Sequence, residues 1–262
     1  MIPAIRSEFR KFFTTRLWWG MAIAIFLAGA GFAALFGIFF TSDTAAANGA
    51  PTGDAVQVAN SVYTGGISVG YLLLLTIGVL QIGSEYRHKT ISGTFLATPR
   101  RLQAMLAKVV ALLGIGIAYG VLSLLGSVTV GATVLSLRDR NPFPSPEVAR
   151  TLALSLLVLG LWALIGLGIG ILIPNQVAAL LIGVGVAFIA EPLLGLILGI
   201  WDFTRENVVP YLPSSATNAV INAVQNPGDV RLEWWGGALV LIAYAVVLSG
   251  LGIWRTTRSD IS

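Results

Sequence analysis

The sequence predicts an all-α polytopic membrane protein with six transmembrane helices, both termini in the cytoplasm and an amphipathic helix on the membrane surface before the first span. Three observations predict it. Of 262 residues, 56% are hydrophobic and only 11% charged, with a mean hydropathy of +0.84, whereas soluble domains carry about 25% charged residues. Several apolar runs exceed the roughly 18 residues at which a spanning helix becomes the default reading. These runs are continuous rather than alternating, which excludes a β-barrel, the other structure able to satisfy backbone groups in lipid. Finally, the charges segregate. Eleven of the 16 Lys and Arg fall in residues 1–17, 83–108 and the tail after 254, with only Glu8, Glu85 and Asp260 as acids there, while the opposite loops hold five bases and eight acids. The positive-inside rule therefore fixes the orientation.

Residues 1–17 space Ile2, Ile5, Phe9, Phe12 and Phe13 at helical intervals, with Arg6, Arg10, Lys11 and Arg16 between them. That pattern predicts a helix lying among anionic headgroups. The first span, 18–40, begins with Trp18 and Trp19, residues suited to the interface. Its apolar run is too long for a signal-peptide core, so Ala45-Ala46-Ala47 is not read as a cleavage site. Residues 41–61 form a small polar loop, and 62–82 the second span.

Residues 83–103 form the cytoplasmic loop that organises the chain, and its basic character runs on to Lys108. The third span occupies 104–137, with Thr98 and Pro99 suited to start its helix as N-cap and first residue. An outer loop with Pro142, Pro144 and Pro146 leads to the fourth span, 150–173, and only residues 174–176 separate it from the fifth, 177–200, as a tight hairpin. Residues 201–233 are long for a loop and contain an amphipathic stretch with a serine cap at Ser214. The sixth span is 234–254.

Little in the chain points to catalysis. There is no cysteine, one histidine (His88), and three lysines (Lys11, Lys89, Lys108) of which none follows a phosphate-binding glycine pattern. No metal cluster, thiolate nucleophile or nucleotide-hydrolysing site is expected, and the basic residues follow topology rather than nucleic-acid binding. Glu191, near the middle of an apolar run and followed by Pro192, is costly to place in lipid. It either lines a path or binds a cation, or is a protonated acid hydrogen-bonded to a neighbouring segment, at a local kink made by the proline. The pairs Gly66/Gly70, Gly116/Gly120, Gly166/Gly170 and Gly195/Gly199 suit close helix contacts, within one bundle or across a dimer.

The six spans, the basic amphipathic N-terminus, Glu85-Tyr86-Arg87 with Thr90, Phe95-Leu96 and Thr98-Pro99-Arg100 in the organising loop, the tight hairpin, and YLPSSATNAV from Tyr211 together resemble ABC-2 type export permeases. These are the membrane subunits of bacterial drug- and bacteriocin-resistance exporters. The resemblance implies a permease that is not itself an enzyme, that pairs with a second copy or a paralogous permease, and that docks two copies of a cognate ATP-binding subunit, which holds the ATP and Mg. It implies an ATPase-coupling region formed by Ser84, Glu85, Tyr86, Arg87, His88, Lys89, Thr90, Phe95, Leu96, Pro99 and Arg100, with Glu85 and Arg87 gripping the partner. It also implies a path near Tyr71, Gln81 and Glu191, an outer re-entrant or interfacial segment at 201–233, and an amphiphilic or hydrophobic cargo such as an antibiotic, peptide or lipid. The alternative is an ATPase-independent secondary transporter using Glu191 as a proton site; a membrane-embedded enzyme is weaker, since no second acid, histidine or cysteine lies near Glu191 in the sequence.

Overall fold

Backbone N–H and C=O groups have no water to bond in a bilayer, and each long apolar run accordingly closes its hydrogen bonds within itself. The computed structural model describes residues 1–42, 53–90, 93, 100–224 and 230–258, and among these every regular element is a helix. In order they are α1 (Ile2–Thr14), α2 (Leu17–Thr41), α3 (Ala55–Thr64), α4 (Ile67–Arg87), α5 (Arg101–Leu137), α6 (Pro146–Leu172), α7 (Gln176–Gly185), α8 (Glu191–Leu198), α9 (Asp202–Asn207), α10 (Pro213–Ile221) and α11 (Trp234–Arg258). A π-helical turn, Val186–Ala190, joins α7 to α8, and a 3-10 turn, Val209–Tyr211, precedes α10. Six segments are long and apolar enough to cross a membrane: α2, α3 with α4, α5, α6, α7 through α8, and α11. This is a multi-pass membrane protein.

Several boundaries lie outside those expected, each for a local reason. The second span starts at Ala55 rather than near residue 62, because Asp54 and Gln57 form a capping box, Gln57 N donating to Asp54 Oδ1 at 2.7 Å and Asp54 N to Gln57 Oε1 at 3.2 Å. The fourth starts at Pro146, with Ser145 Oγ accepting from Glu147 N at 3.3 Å and the proline in the first turn, where its missing N–H costs nothing. Asn175 Oδ1 accepts from the backbone of Val177 and Ala178, both at 3.1 Å, and so closes the expected hairpin. The third helix begins at Arg101; Thr98 and Pro99 lie outside the described residues. Ser214 is not a cap but a residue of the first turn of α10, which has Leu212 at its N-cap and Pro213 as its first residue.

The π-helical turn is the form taken by the bend expected at Glu191-Pro192. Proline lacks the N–H for an i→i−4 bond, and its ring collides with the carbonyl four residues back. One wider turn immediately before it lets the helix pass without a break.

Glycine sets the packing distances. A Cβ at Gly78 would run into the backbone of Ala163, and one at Gly166 into that of Leu75, so α4 and α6 meet backbone to backbone. Gly29, Ala33 and Gly37 form the buried stripe of α2, facing α5 at Ser123 and Val134. Gly116, Gly120 and Gly170 make similar contacts inside this one chain, and Gly66 meets Ala28 and Gly29, whereas Gly195 and Gly199 touch no other long helix. Helix α6 is the central element, and Trp162 at its middle stacks on Tyr71 with centroids 4.2 Å apart and donates Nε1–H to Thr217 Oγ1 of α10 at 3.0 Å. Helix α10 thus packs into the bundle beside α6, its Ala216, Thr217 and Val220 buried.

The spans alternate, which gives the molecule two ends. One collects α1, the C-terminal end of α4, the start of α5, the 173–175 turn and the end of α11, where Arg255 Nη1 donates to Leu172 O at 3.0 Å. The other collects the outer loops: Tyr63 O–H donates to Pro142 O at 2.7 Å, Asn60 Nδ2 to Asn222 O at 3.2 Å, and Arg150 lies over Trp234. The first end is the basic one in the charge count above.

Candidate functional site

At the basic end, three helices converge on a buried ion cluster. Helix α1 places Glu8, Lys11 and Phe12 on one face through its i, i+3, i+4 spacing. The last turns of α4 bring Gln81 and Glu85, four residues apart, to meet them, and α5 supplies Lys108 from its third turn. Lys108 Nζ donates to Glu8 Oε2 at 2.6 Å and to Glu85 Oε1 at 2.5 Å; Lys11 Nζ donates to Glu8 Oε1 and Glu85 Oε1, both at 2.7 Å. Gln81 Nε2 adds bonds to Glu8 O and Oε2, each at 3.3 Å. Two carboxylates and two ammonium groups give a cluster of zero net charge. Lys108 is 1% exposed and the two glutamates 4%, so their pairing is shielded from water, while the Lys11 side chain reaches the surface.

The electrostatics follow from that burial. Burial alone would raise the pKa of Glu8, but Lys108, followed by Lys11, outweighs it and holds the carboxyl below its ordinary value. For Lys11, burial pulls the pKa down and the glutamates, Glu8 first, more than reverse it, so it lies above its ordinary value. Aromatic packing completes the seat of α1, with Phe12 edge-on to Tyr119 at 5.8 Å and Phe9 against Gly114. One polar atom of the cluster has no bond: Glu85 Oε2 is buried and unpartnered. It lines a cavity of about 90 Å³ together with Gln176, whose Oε1 is also buried without a partner. A water takes about 30 Å³ in the liquid, so the cavity suits a small number of waters donating to both oxygens.

The predicted coupling residues divide around this cluster. Glu85 is buried and bound by two lysines of its own chain, because the neighbouring helices supply both cations. Ser84 Oγ bonds Gln81 O, and Tyr86 is half-buried beside Thr256 of α11. Arg87, His88, Lys89 and Thr90 are exposed and end α4. Lys89 adopts a left-handed φ of 55°, with Thr90 N bonded to Glu85 O at 2.9 Å and Lys89 N to Tyr86 O at 3.2 Å. That is a Schellman cap made without the usual glycine. Arg100 is exposed beside the start of α5, while Phe95, Leu96 and Pro99 lie outside the described residues.

The three predicted path residues separate. Gln81 belongs to the ion cluster; Tyr71 sits in the core on Trp162, within electrostatic range of Glu191. Glu191 is 5% exposed, and its Oε1 accepts the N–H of Ser214 in the first turn of α10. Leu212, at the N-cap position of α10, offers no side-chain oxygen, and Glu191 supplies the missing acceptor from another helix. The same residue also borders a cavity beside α8, α9 and α10.

Glu8, Lys11 and Lys108 were not singled out by the sequence reading. Their signal was present, since Lys108 interrupts the apolar stretch Met105–Ala111, and Glu8 is the one acid in a basic helix. Both need a partner of opposite sign, and each is the other's. No protein-family model matches the chain, and no curated protein matches its sequence.

Proposed function

We propose that the chain is the membrane-spanning permease subunit of an ABC-2 type exporter, driven by a separate ATP-binding subunit and moving an amphiphilic or hydrophobic compound out across the cytoplasmic membrane. In this reading two permease copies dock two ATP-binding subunits, ATP and Mg reside in those subunits, and the basic end faces the cytoplasm.

The observation that carries the reading is the buried ion cluster. It fastens α1 to the end of α4 and the start of α5, so the amphipathic helix and the exposed Arg87-His88-Lys89 turn belong to one stiff platform. A push on that platform is delivered to two spans at once. Glu85 then acts as a positioning residue that holds the platform together, while Arg87 and Lys89 meet the acidic or carbonyl groups of the ATPase. Closure of the ATPase dimer on ATP would move the platform as a lever and tilt α4 and α5 against α6.

The test is purification of the tagged protein from its native membrane in mild detergent, followed by mass spectrometry of what stays bound. A stoichiometric soluble ATPase is expected. Arg87→Ala with Lys89→Ala should lose it while leaving thermal stability unchanged, whereas Lys108→Met should lose both. A preparation without ATPase that transports in proteoliposomes would overturn the proposal.

A further inference from the structure

At the end opposite the ion cluster, α8, α9 and α10 enclose a cavity of about 670 Å³. Its lining combines Gly195, Leu196 and Ile200, apolar residues at the end of a span, with the polar Arg205, Asn218 and Arg231. Two guanidinium groups therefore line one space. Arg205 Nη2 pairs with Asp202 at 2.7 Å, an aspartate side chain 84% exposed to solvent, but Arg205 Nε is buried and has no hydrogen-bond partner. Arg231 is held rigidly, Nη1 donating to Ala223 O at 3.1 Å and Nη2 to Asn222 Oδ1 at 2.6 Å, and neither acceptor is an anion. Among the described lining residues the one carboxylate is Glu191, whose Oε1 is engaged by Ser214 N–H. Beside the cavity α8 exposes Leu193 and Ile197, and Ile200 just beyond it is exposed as well, a surface suited to acyl chains.

We propose that this cavity binds an amphiphile carrying a phosphate group, the phosphate held by Arg205 and Arg231 and the hydrocarbon lying along α8. Guanidinium forks match tetrahedral oxyanions in bidentate geometry, and a site at the end of an apolar span places the polar and apolar parts of one molecule where each is satisfied. The inference deepens the export reading, on which the role of the ligand as cargo rests, by naming its chemical class. The binding itself requires no ATPase.

Native mass spectrometry of the detergent-purified protein tests it, titrated with dioctanoyl phosphatidylglycerol, dodecyl phosphate, dioctanoylglycerol and inorganic phosphate. Both phosphate amphiphiles should bind at least ten-fold more tightly than dioctanoylglycerol or phosphate alone, and Arg205→Gln and Arg231→Gln should each weaken them at least ten-fold. Binding of phosphatidylglycerol but not dodecyl phosphate would assign the site to a bilayer phospholipid; binding of both would extend it to foreign amphiphiles. Because Arg231 also ties residues 222 and 223, Gly195→Leu serves as a second variant. A Cβ there meets only Leu212 Cδ1, at 3.8 Å, so a larger side chain can be added on the cavity lining while both arginines are kept. It should abolish binding with the fold intact. Equal binding of dioctanoylglycerol, or unchanged affinity in all three variants, overturns the proposal. Such a failure alongside a co-purified ATPase would leave the permease reading standing.

Discussion

Replacing Lys108 by Met is the sharpest perturbation of the ion cluster. Met has similar length and fits an apolar helix, so the change removes charge and two hydrogen bonds rather than volume. The wild-type cluster is neutral, and the variant carries two carboxylates, both 4% exposed, against Lys11 alone, whose side chain is 38% exposed. Removing one partner of a buried ion pair costs on the order of 3–5 kcal/mol, because the remaining charge stays desolvated. Thermal unfolding in detergent should show that loss, and hydrogen exchange should show faster exchange in residues 2–14 than elsewhere, since α1 is held mainly at this seat. Adding Glu85→Gln restores neutrality, leaving the Glu8–Lys11 pair, and should recover most of the stability. The two proteins should also differ in pH response. Glu8 in the wild type has a lowered pKa, so its contribution is present above the unfolded value and is lost as pH falls through the folded one. In Lys108→Met an uncompensated buried carboxylate favours protonation, so mild acidification should stabilise the variant. A variant as stable as wild type, or a double variant no better than the single, would refute the reasoning.

Further tests address the other end and the helix contacts. Glu191→Gln keeps an acceptor for Ser214 N–H and should be mild, whereas Glu191→Leu leaves that half-buried donor unbonded and should cost about 1 kcal/mol by thermal unfolding. Gly166→Ala presses a methyl group into the backbone of Leu75, and overpacking of this kind costs about 1–3 kcal/mol or more; the expected result is poor recovery of folded protein. Gly185→Ala is the control, since nothing lies within 4 Å of its new Cβ, and it should be neutral or stabilising by up to about 1 kcal/mol. At high pH the pairing of Lys11 should fail: its pKa is raised, so its contribution holds below the unfolded value and disappears as pH rises through the folded one, which exchange rates in α1 measured across the alkaline range would reveal.

The sequence by itself determined the helical class, the six spans and the shared end of the two termini, because these depend on what lipid requires of a backbone and on how charge divides among loops. It also marked Glu191-Pro192 as a point of stress, which the fold resolves with a π-helical turn. Caps such as Asp54-x-x-Gln57 and Ser145-Pro146 were written in the sequence too, and moved two span starts outward once honoured. Only the tertiary structure decided where single charges go. Glu8, Glu85 and Lys108 are separated by 77 and 23 residues, and their meeting depends on how closely α1, α4 and α5 approach, a distance set by glycines and aromatic rings on other faces of those helices. The same holds for Glu191, whose partner Ser214 comes from a later helix, and for Arg205 and Arg231, which face one cavity because α9 and the segment before α11 fold back over the end of α8. Hydrophobicity is additive along a chain and can be read from it. The pairing of buried charges depends on three-dimensional proximity, so it waits for the fold.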